Sequence, residues 1–273
     1  MTTDLLTLEL SRSHFEWISR RVYELCGINL QAGKEGLVKS RLARRLRALR
    51  LDDFDHYLSY LSQDQSGREL ALMVDELTTN KTSFFREPQH FDHLRQAVLP
   101  QLRLSGRPLR FWCAGCSSGE EPYTLSILLR EELPEDYEAR ILATDLSARM
   151  LERASRAVYQ EDTLADVPPG LRQKYFTVEQ ATRPRTFKVN DNVRALVRFA
   201  RLNLMEQWPM QGPFDAIFCR NVMIYFDKPT QQALVQRYTQ LLAPGGLLFV
   251  GHSESLTSIS HSLQYVKPAI YVK

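Results

Sequence analysis

The chain has 273 residues, of which 44% are hydrophobic and 25% are charged, and its formal net charge is +3. Its length exceeds that of a typical single domain and predicts one large domain with a smaller one. The four cysteines do not indicate a disulfide framework in so long a chain. No run of roughly 18 apolar residues and no secretory signal pattern is visible. We therefore expect a cytoplasmic protein that does not insert into the membrane.

The first part of the chain predicts helices only. The stretch SHFEWISRRVYELCG begins with Ser13 as a candidate N-cap and ends at Gly27, a typical helix stop. In the segment 34–50, apolar residues recur at helical spacing; they are Val38, Leu42, Leu46 and Leu49. The stretches DDFDHYLSYLSQ and GRELALMVDELTT predict two further amphipathic helices.

From residue 108 onward, short apolar runs alternate with helical segments. The order is LRFWCA, EPYTLSILLREEL, RILATD, SARMLERASRAVY, FDAIFC, PTQQALVQRYTQLLA and GGLLFVG. Such alternation predicts βαβ units around a largely parallel sheet. Two short apolar runs in SLQYVKPAIYVK predict a closing hairpin at one sheet edge.

Domain boundaries follow from these changes in the pattern of apolar and polar residues. Residues 176–200 mix β-branched and polar residues without a helical period, which predicts a small inserted antiparallel β-subdomain. The stretch TTNKTSFFREP is the expected junction between domains. We predict a helical domain over residues 1–78 and an α/β domain over residues 79–273, with the insertion at about 176–200.

The loop after the first predicted strand, CAGCSSGEEP, admits three interpretations. A structural zinc site requires four ligands, and Cys26 and Cys219 are isolated from this C-x-x-C pair. A redox pair would have its helix start close behind the first cysteine, whereas SSG intervenes here. Gly115 and Gly119 instead favour a nucleotide-type loop, in which the backbone passes close to a ligand.

Acidic residues add weight to the nucleotide interpretation. Asp145 ends the next predicted strand, where dinucleotide-binding folds hold ribose hydroxyls. The alternative role for Asp145 is a helix N-cap, which Ser147 can provide instead. Glu120 and Glu121 suit a helix N-terminus in any case. A cofactor with a sulfonium and an ammonium group would also require an acid there, and S-adenosylmethionine is that cofactor.

Several segments in order resemble the CheR-type chemoreceptor methyltransferases. They are LTTNKTSFFREPQHF, WCAGCSSGEEPYTLSILL, ILATDLSARMLERA, FDAIFCRNVMIYFDKPTQ and LLAPGGLLFVGHSESL. The resemblance covers nearly the whole chain. It implies an all-α N-terminal domain followed by an α/β, Rossmann-like methyltransferase domain with an inserted antiparallel β-subdomain. It also implies methyl transfer from S-adenosylmethionine to glutamate side chains on the cytoplasmic helices of bacterial chemoreceptors, with S-adenosylhomocysteine as the product, in chemotactic adaptation.

The resemblance also suggests individual site residues. Together with Gly115, the expected cofactor-binding residues are Asn80, Thr82, Arg86, Glu120, Asp145, Asn203, Leu204, Arg220 and Asn221. Glu120 looks like the residue that holds the methionine amino group and Asp145 like the ribose ligand. Asn203 and Leu204 resemble the adenine contacts.

Two residues are the expected catalytic pair. We expect Arg86 to hold the acceptor carboxylate, because guanidinium pairs well with carboxylate. Tyr225 resembles the tyrosine that the family places beside the reaction centre. The alternatives are a structural ion pair of Arg86 with Glu87 or another acid, and a core aromatic for Tyr225.

The predicted chemistry needs neither a general base nor a metal. A glutamate acceptor has an intrinsic pKa of about 4.3, so it is already an ionised nucleophile for in-line displacement at neutral pH. His90 and His93 are three residues apart on one predicted helix. Without a third ligand nearby, we expect them to be solvated rather than metal-binding. His252 follows a strand, and this position allows it either to face the site or to serve as an ordinary structural residue.

The second predicted helix is strongly basic between residues 39 and 50. A solvated face is one interpretation, and an anionic partner is the other. The aromatic interleaving expected of a single-stranded nucleic-acid site is absent. We therefore predict docking onto an acidic receptor helix, not onto nucleic acid. The docking residues are Arg41, Arg44, Arg45 and Arg47.

Further expectations concern binding mode and rival functions. The loop EQATRPRTF in the insertion contains no glycine, so we expect no tether to a receptor peptide, and we expect a monomer. A base-amino methyltransferase of nucleic acid often has an N/D-P-P-Y/F motif, where this chain has CRNVMIYF. A non-enzymatic binding protein would be expected to lose its acids, yet Glu120 and Asp145 are both present.

Overall fold

A computed structural model describes residues 8–273, which fall into two compact units. The first extends up to Thr79 and also includes Tyr225–Asp227, and the second comprises Asn80–Ile224 and Lys228–Lys273. The first seven residues of the predicted helical domain, 1–78, lie outside the described part. None of the helices between residues 8 and 273 combines the length and apolar composition required to cross a bilayer.

The first unit is built from helices, as the sequence predicts. They are α1 (Arg12–Cys26), α2 (Glu35–Leu49), α3 (Phe54–Gln63) and α4 (Arg68–Leu77). Each helix buries one apolar stripe, because residues three or four positions apart share a helix face. In α2 the buried members of the predicted stripe are Val38, Leu42 and Leu46, and Leu49 is half-buried.

The ends of α1 show where the sequence-based prediction was wrong by half a turn. The N-cap is Ser11, not Ser13, because the Ser11 hydroxyl accepts a hydrogen bond from the backbone N–H of His14 at 3.1 Å. The His14 ring in turn accepts from the Ser11 N–H at 3.4 Å, which completes a reciprocal cap. Gly27 ends the helix with φ of 73°, as predicted.

Two of the four arginines predicted to dock a partner are bound inside the helical unit. Arg45 donates to both carboxylate oxygens of Glu69, at 2.9 and 2.6 Å, and the Tyr57 hydroxyl donates to the same carboxylate at 3.0 Å. Arg41 donates to the carbonyl of Leu77 and to the hydroxyl of Thr79. These bonds attach α2 to α4, so this part of the basic helix is structural.

We expect Glu69→Ala to destabilise the protein by about 3 kcal/mol, because it leaves the guanidinium of Arg45 largely buried without its anionic partner. Urea denaturation measures this change. Arg12→Ala is the matched control, since it breaks an exposed pair with Glu16 on α1 and should cost less than about 0.5 kcal/mol. Equal losses for the two variants would contradict a structural role for the Arg45–Glu69 pair.

The second unit has a seven-stranded sheet and a separate three-stranded sheet. The ten strands are β1 (Leu109–Ala114), β2 (Ala139–Asp145), β3 (Val158–Gln160), β4 (Phe176–Gln180), β5 (Thr186–Val189), β6 (Val197–Arg201), β7 (Phe214–Cys219), β8 (Leu242–Val250), β9 (Gln264–Lys267) and β10 (Ile270–Val272). The large sheet has the order β6-β2-β1-β7-β8-β10-β9. Its first five strands run parallel, and β10 and β9 pair antiparallel at one edge as the predicted hairpin.

Helices connect and cover these strands. They are α5 (Pro88–His93), a π-helical turn (Leu94–Val98), α6 (Leu99–Leu104), α7 (Glu120–Glu132), α8 (Ala148–Arg156), α9 (Pro169–Tyr175), α10 (Asp191–Arg194) and α11 (Lys228–Leu241). Short 3₁₀ turns occupy Glu161–Leu164, Met223–Tyr225 and Leu256–Ser258. All positions of β7 are buried, as expected for a central parallel strand covered on both faces.

The antiparallel β-subdomain exists, but its limits differ from the predicted range of 176–200. Its sheet has the order β3-β5-β4, so it begins with Val158–Gln160 and ends at Val189. The segment Val197–Arg201 is β6, which pairs parallel with β2 in the large sheet. The three-residue strand β3 follows α8 directly and is too short to show a period of its own.

The parallel strands place their carboxyl ends at a common edge. Loops that follow β1, β2, β6, β7 and β8 therefore lie side by side there. From β1 the chain adds β2 and β6 on one side of the sheet, and then β7 and β8 on the other side. Ligands of open α/β sheets bind at such a switch point, between β1 and β7 here. Most of the predicted cofactor residues belong to these loops.

Candidate active site

The loop after β1 is fixed by its own glycines and by Asp145. Gly115 and Gly119 have φ of 97° and 98°, and a Cβ atom on Gly115 would lie 2.3 Å from a methyl group of Val222. A Cβ atom on Gly119 would lie 2.9 Å from both Ala154 and the hydroxyl of Tyr159. These neighbours belong to the protein, so the glycines are required by close packing as well as by backbone conformation.

The cysteines of this loop play no visible part in its chemistry. All four cysteines are free and buried. Burial, with nearby acidic groups adding to it, raises the pKa values of Cys113 and Cys116 far above the ordinary thiol range. Both therefore stay as neutral thiols, which are poor nucleophiles and poor metal ligands.

Glu120 begins α7 and carries a buried carboxyl group, with only 4% of the residue exposed. The Ser118 hydroxyl lies 2.9 and 2.8 Å from its two oxygens. Burial raises the pKa of Glu120, and the Ser118 hydrogen bond, a backbone hydrogen bond and the charge of Arg153 offset that effect only in part. Within residues 8–273 no lysine or arginine forms an ion pair with it. A buried carboxyl group without an ion-pair partner fits the ammonium group of S-adenosylmethionine.

Asp145 ends β2 and holds the neighbouring loop. Its carboxylate accepts hydrogen bonds from the backbone N–H groups of Ser117 at 2.7 Å and Ser147 at 2.9 Å. The N-cap of α8 is Ser147, whose hydroxyl accepts from Met150 N–H at 3.2 Å. Asp145 is therefore not needed as the cap, and a half-buried carboxylate at this position suits a ribose hydroxyl donor.

The turn after β6 lies next to Asp145. The N–H of Leu202 donates to the Asp145 carbonyl at 3.0 Å. Asn203 accepts from the N–H of Met205 at 3.1 Å through its side-chain oxygen, and the Leu204 carbonyl accepts from the indole of Trp208 at 3.2 Å. Both predicted adenine contacts thus belong to one hydrogen-bonded turn.

The segment Asn80–Arg86 lies against the β1 loop and the start of α7. The Ser117 hydroxyl donates to the Asn80 carbonyl at 3.0 Å. Thr124 connects the segment to Glu120, because its hydroxyl accepts from the Phe85 N–H at 3.1 Å and donates to the Glu120 carbonyl at 2.7 Å. Thr82 lies between these contacts and is half-buried.

Arg86 keeps hydrogen-bond donors for another group. Its guanidinium donates to the Lys81 carbonyl at 2.9 Å, and no acid in the described chain forms an ion pair with it, including Glu87. The residues on either side, Phe85 and Glu87, both have φ of 54°, in the left-handed region that few non-glycine residues adopt. Strained backbone of this kind is frequent at functional sites.

Arg220, predicted as a cofactor contact, uses its side chain within the protein. It is 6% exposed and donates to Glu121 at 3.0 Å, to Glu87 at 3.3 and 3.2 Å, and to the Arg86 carbonyl. Its backbone remains at the carboxyl edge of the sheet. Burial alone would raise the pKa of Glu87, but the charge of Arg220 and the other nearby groups lower it overall.

Asn221 follows directly and has φ of 59°. Its backbone N–H donates at 2.7 Å to Glu254, a buried acid that the sequence analysis did not single out. The available signal was weak: an acid three residues after the glycine that follows β8, in GHSES.

His90 is not the solvated helix residue that its spacing suggested. It is fully buried, and its ring lies 5.4 Å from that of Phe249 and 5.1 Å from that of His252. Burial lowers its pKa to about 3, so the ring is neutral. Glu87 and His252 place possible ligand atoms within 4.8 Å of it. The guanidinium of Arg220 already occupies the Glu87 carboxylate, and a dication there would be repelled, so we assign no metal.

Tyr225 belongs to the other compact unit. Its hydroxyl donates to the Thr79 carbonyl at 3.1 Å, and its own carbonyl accepts from the Asn29 N–H at 2.8 Å. The side chain is half-buried rather than a core aromatic.

The fold and this edge define a methyltransferase that binds S-adenosylmethionine. The CheR methyltransferase all-alpha domain matches residues 13–78, and the CheR methyltransferase SAM binding domain matches residues 80–272. The chain therefore belongs to the CheR methyltransferase family, and the fold class, the resemblance and the cofactor predicted from the sequence are confirmed.

Relatives match over nearly the full chain. Chemotaxis protein methyltransferase 2 of Pseudomonas aeruginosa is 43% identical over 263 residues, covering 96% of this chain and 93% of that protein. The chemotaxis protein methyltransferase of Klebsiella aerogenes is 40% identical over 268 residues, covering 97% and 90%. The protein of that name from Escherichia coli is 40% identical over 272 residues, covering 97% and 92%.

We expect Glu120→Gln to weaken S-adenosylmethionine binding by about ten- to a hundredfold, because a charge-assisted hydrogen bond contributes roughly 1.5–3 kcal/mol. Isothermal titration calorimetry measures the affinity. In the absence of ligand, the Glu120→Gln protein should be more stable than the ligand-free parent. The raised pKa means that Glu120 stabilises the fold while protonated, and that this contribution is lost as pH rises through that pKa.

Thermal melts of the two ligand-free proteins test the second part. The advantage of Glu120→Gln should be present where the parent carboxyl is ionised, above its raised pKa, and should shrink as the pH falls through that pKa and the buried acid becomes protonated. A variant that is less stable than the parent at every pH would contradict the assigned cause.

Proposed function

We propose that this protein methylates glutamate side chains on the cytoplasmic helices of bacterial chemoreceptors, as a protein-glutamate O-methyltransferase working in the cytoplasm. The observation that supports this proposal is that two oppositely charged groups lie on neighbouring segments, which Thr124 connects through the Glu120 carbonyl and the Phe85 N–H. Glu120 is a buried acid without an ion-pair partner, and Arg86 is a guanidinium that bonds only the Lys81 carbonyl in the described chain. One suits a cationic cofactor, the other an anionic acceptor. The similarity to chemotaxis protein methyltransferases gives further support.

The chemistry asks little of the protein beyond positioning. When bound, S-adenosylmethionine supplies a sulfonium methyl group that an ionised carboxylate can attack in line, which yields a methyl ester and S-adenosylhomocysteine. The acceptor glutamate has an intrinsic pKa of about 4.3 and needs no general base at neutral pH. Holding such reactants close and aligned lowers a barrier by about 7–11 kcal/mol.

The proposed cofactor roles follow the positions described above. Glu120 binds the amino group, Asp145 binds ribose hydroxyls, and the turn with Asn203 and Leu204 contacts the adenine. Further contacts come from Asn80, Thr82, Gly115, Arg220 and Asn221, with Arg220 contributing through its backbone.

The proposed catalytic roles belong to Arg86 and Tyr225. Arg86 orients the acceptor carboxylate through its remaining donors and also borders the cofactor. Tyr225 is proposed to lie beside the reaction centre, on the resemblance alone.

The function is tested with labelled S-adenosylmethionine and either chemoreceptor cytoplasmic fragments or nucleic acid. We expect base-labile label on receptor glutamates. Arg86→Ala should lower kcat/KM for the receptor by about ten- to a hundredfold, as loss of a charged hydrogen bond does. Arg86→Lys is the control that keeps the charge but not the planar fork, and it should recover part of the activity. Label only on nucleic acid, or no label despite cofactor binding, would overturn the proposal.

The docking proposal rests on the arginines of α2 that face solvent. Arg41 and Arg45 are used inside the helical unit. Arg44 forms an ion pair with Glu76 at 3.2 Å but is 62% exposed, and Arg47 is exposed. An acidic receptor helix is the proposed partner of these two side chains. The loop between β4 and β5 lacks glycine, so a receptor peptide tether is not part of the proposal. The protein is proposed to act as a monomer.

We expect Arg44→Ala with Arg47→Ala to weaken receptor binding by about two- to thirtyfold at low salt, since exposed ion pairs contribute about 0.2–1 kcal/mol each. The difference from the parent should shrink as salt is added. Arg12→Ala with Arg21→Ala on α1 is the control with the same loss of charge. Equal binding by both double variants at low salt would contradict docking through α2.

A further inference from the structure

Glu254 is a buried carboxylate held by backbone N–H groups. It is 6% exposed and lies after β8, next to the loop that follows β7. One oxygen, Oε2, accepts from Gly251 N–H at 2.6 Å and from Asn221 N–H at 2.7 Å. The other, Oε1, accepts from Ile224 N–H at 3.1 Å. A single side chain thus fixes both ends of the segment Asn221–Ile224.

The surrounding backbone is shaped to admit this carboxylate. A Cβ atom on Gly251 would lie 2.7 Å from Oε2 of Glu254 and 2.6 Å from the side-chain nitrogen of Asn221. Asn221 itself has φ of 59°, in the left-handed region that asparagine adopts more readily than most other residues. The bond from its N–H to Glu254 helps to hold this conformation.

The presence of an acid at position 254 is poorly explained by a contribution to the stability of the fold. No lysine, arginine or histidine pairs with Glu254 in the described part of the chain, so peptide dipoles alone oppose the cost of burying its charge. Burial raises its pKa despite these hydrogen bonds. A carboxylate that costs stability is better explained by the shape it imposes on its neighbours.

We propose that Glu254 is a positioning residue for cofactor binding, because it holds Asn221 and the chain up to Ile224 in the conformation that the cofactor meets. The inference rests on the proposed function, in which Asn221 contacts S-adenosylmethionine. Glu254 acts only through the backbone and is not a catalytic residue.

The unequal use of the two oxygens makes a graded test possible. In Glu254→Gln, the amide oxygen can replace Oε2 and keep the bonds from Gly251 and Asn221. Its NH₂ group then faces the N–H of Ile224, so that bond is lost. In Glu254→Ala, all three bonds are lost. The two variants therefore separate the Asn221 end of the segment from the Ile224 end.

Asp215 provides a matched control. It is also a buried acid, but it lies near the start of β7, at the opposite edge of the sheet from Asn221. It pairs with Arg107 and accepts from the Arg110 N–H at 2.8 Å. Asp215→Ala should lower the melting temperature without changing cofactor affinity.

Calorimetric titration with S-adenosylhomocysteine and amide hydrogen exchange measure the effects in the full-length protein. For Glu254→Ala we expect at least about tenfold weaker binding and faster exchange across Asn221–Ile224. Glu254→Gln should bind within about threefold of the parent, with faster exchange at Ile224 and unchanged exchange at Asn221. A Glu254→Ala protein that loses melting temperature as Asp215→Ala does, but keeps the affinity of the parent, would overturn the inference.

Glu254→Gln keeps the inference testable should Glu254→Ala fail to fold. In this variant the amide of Ile224 must exchange faster while the exchange rate of the Asn221 amide stays unchanged. If the exchange rates of the two amides change equally, or if neither changes, the inference would also be overturned. The binding measurement needs no methyl acceptor. Failure to methylate receptors would therefore count against the proposed substrate and not against the role of Glu254.

Discussion

Arg220 brings a full positive charge into the interior at the end of β7. A buried guanidinium must have partners for its donors, because an unpaired charge there would cost several kcal/mol. The partners come from separate parts of the chain: Glu121 from α7, and Glu87 and the Arg86 carbonyl from the segment before α5. This requirement fixes the distance from the end of β7 to α7 and to the segment that contains Arg86 and Glu87. The position of Arg86 is thus set by a neighbouring charge rather than by its own side chain.

The buried acids at this edge of the sheet differ in which groups compensate their negative charges. Glu87 and Glu121 are paired with Arg220, and Glu254 is surrounded by peptide N–H groups. Glu120 has the Ser118 hydroxyl and a backbone N–H beside it, and it feels the charge of Arg153 without forming an ion pair with it. In the proposed function, Glu120 is the one of these four acids that meets the ammonium group of the cofactor.

The sequence predicted what depends on periodicity and chain order. Alternating strands and helices gave the parallel sheet, and the acids Glu120 and Asp145 could be placed at its edge because strand ends are readable from short apolar runs. Contacts between distant parts of the chain were not readable. The burial of His90 depends on Phe249 and His252, and the inward use of Arg45 depends on Glu69. A strand of three residues such as β3 is too short to show a period in the sequence. The sequence also allows both Ser11 and Ser13 as the N-cap of α1, and only the local geometry decides between them.

The left-handed conformations of Phe85 and Glu87 have a consequence for Arg86, which lies between them. The backbone of this segment is held by the Phe85 N–H bond to Thr124 and by the bond of Arg220 to the Arg86 carbonyl. The direction in which the Arg86 side chain leaves the backbone is therefore set by the fold. A long, flexible side chain normally loses rotamer freedom when it binds an anion. The bond of the Arg86 guanidinium to the Lys81 carbonyl removes part of that freedom in advance, so the carboxylate of the proposed acceptor would bind with a smaller ordering cost.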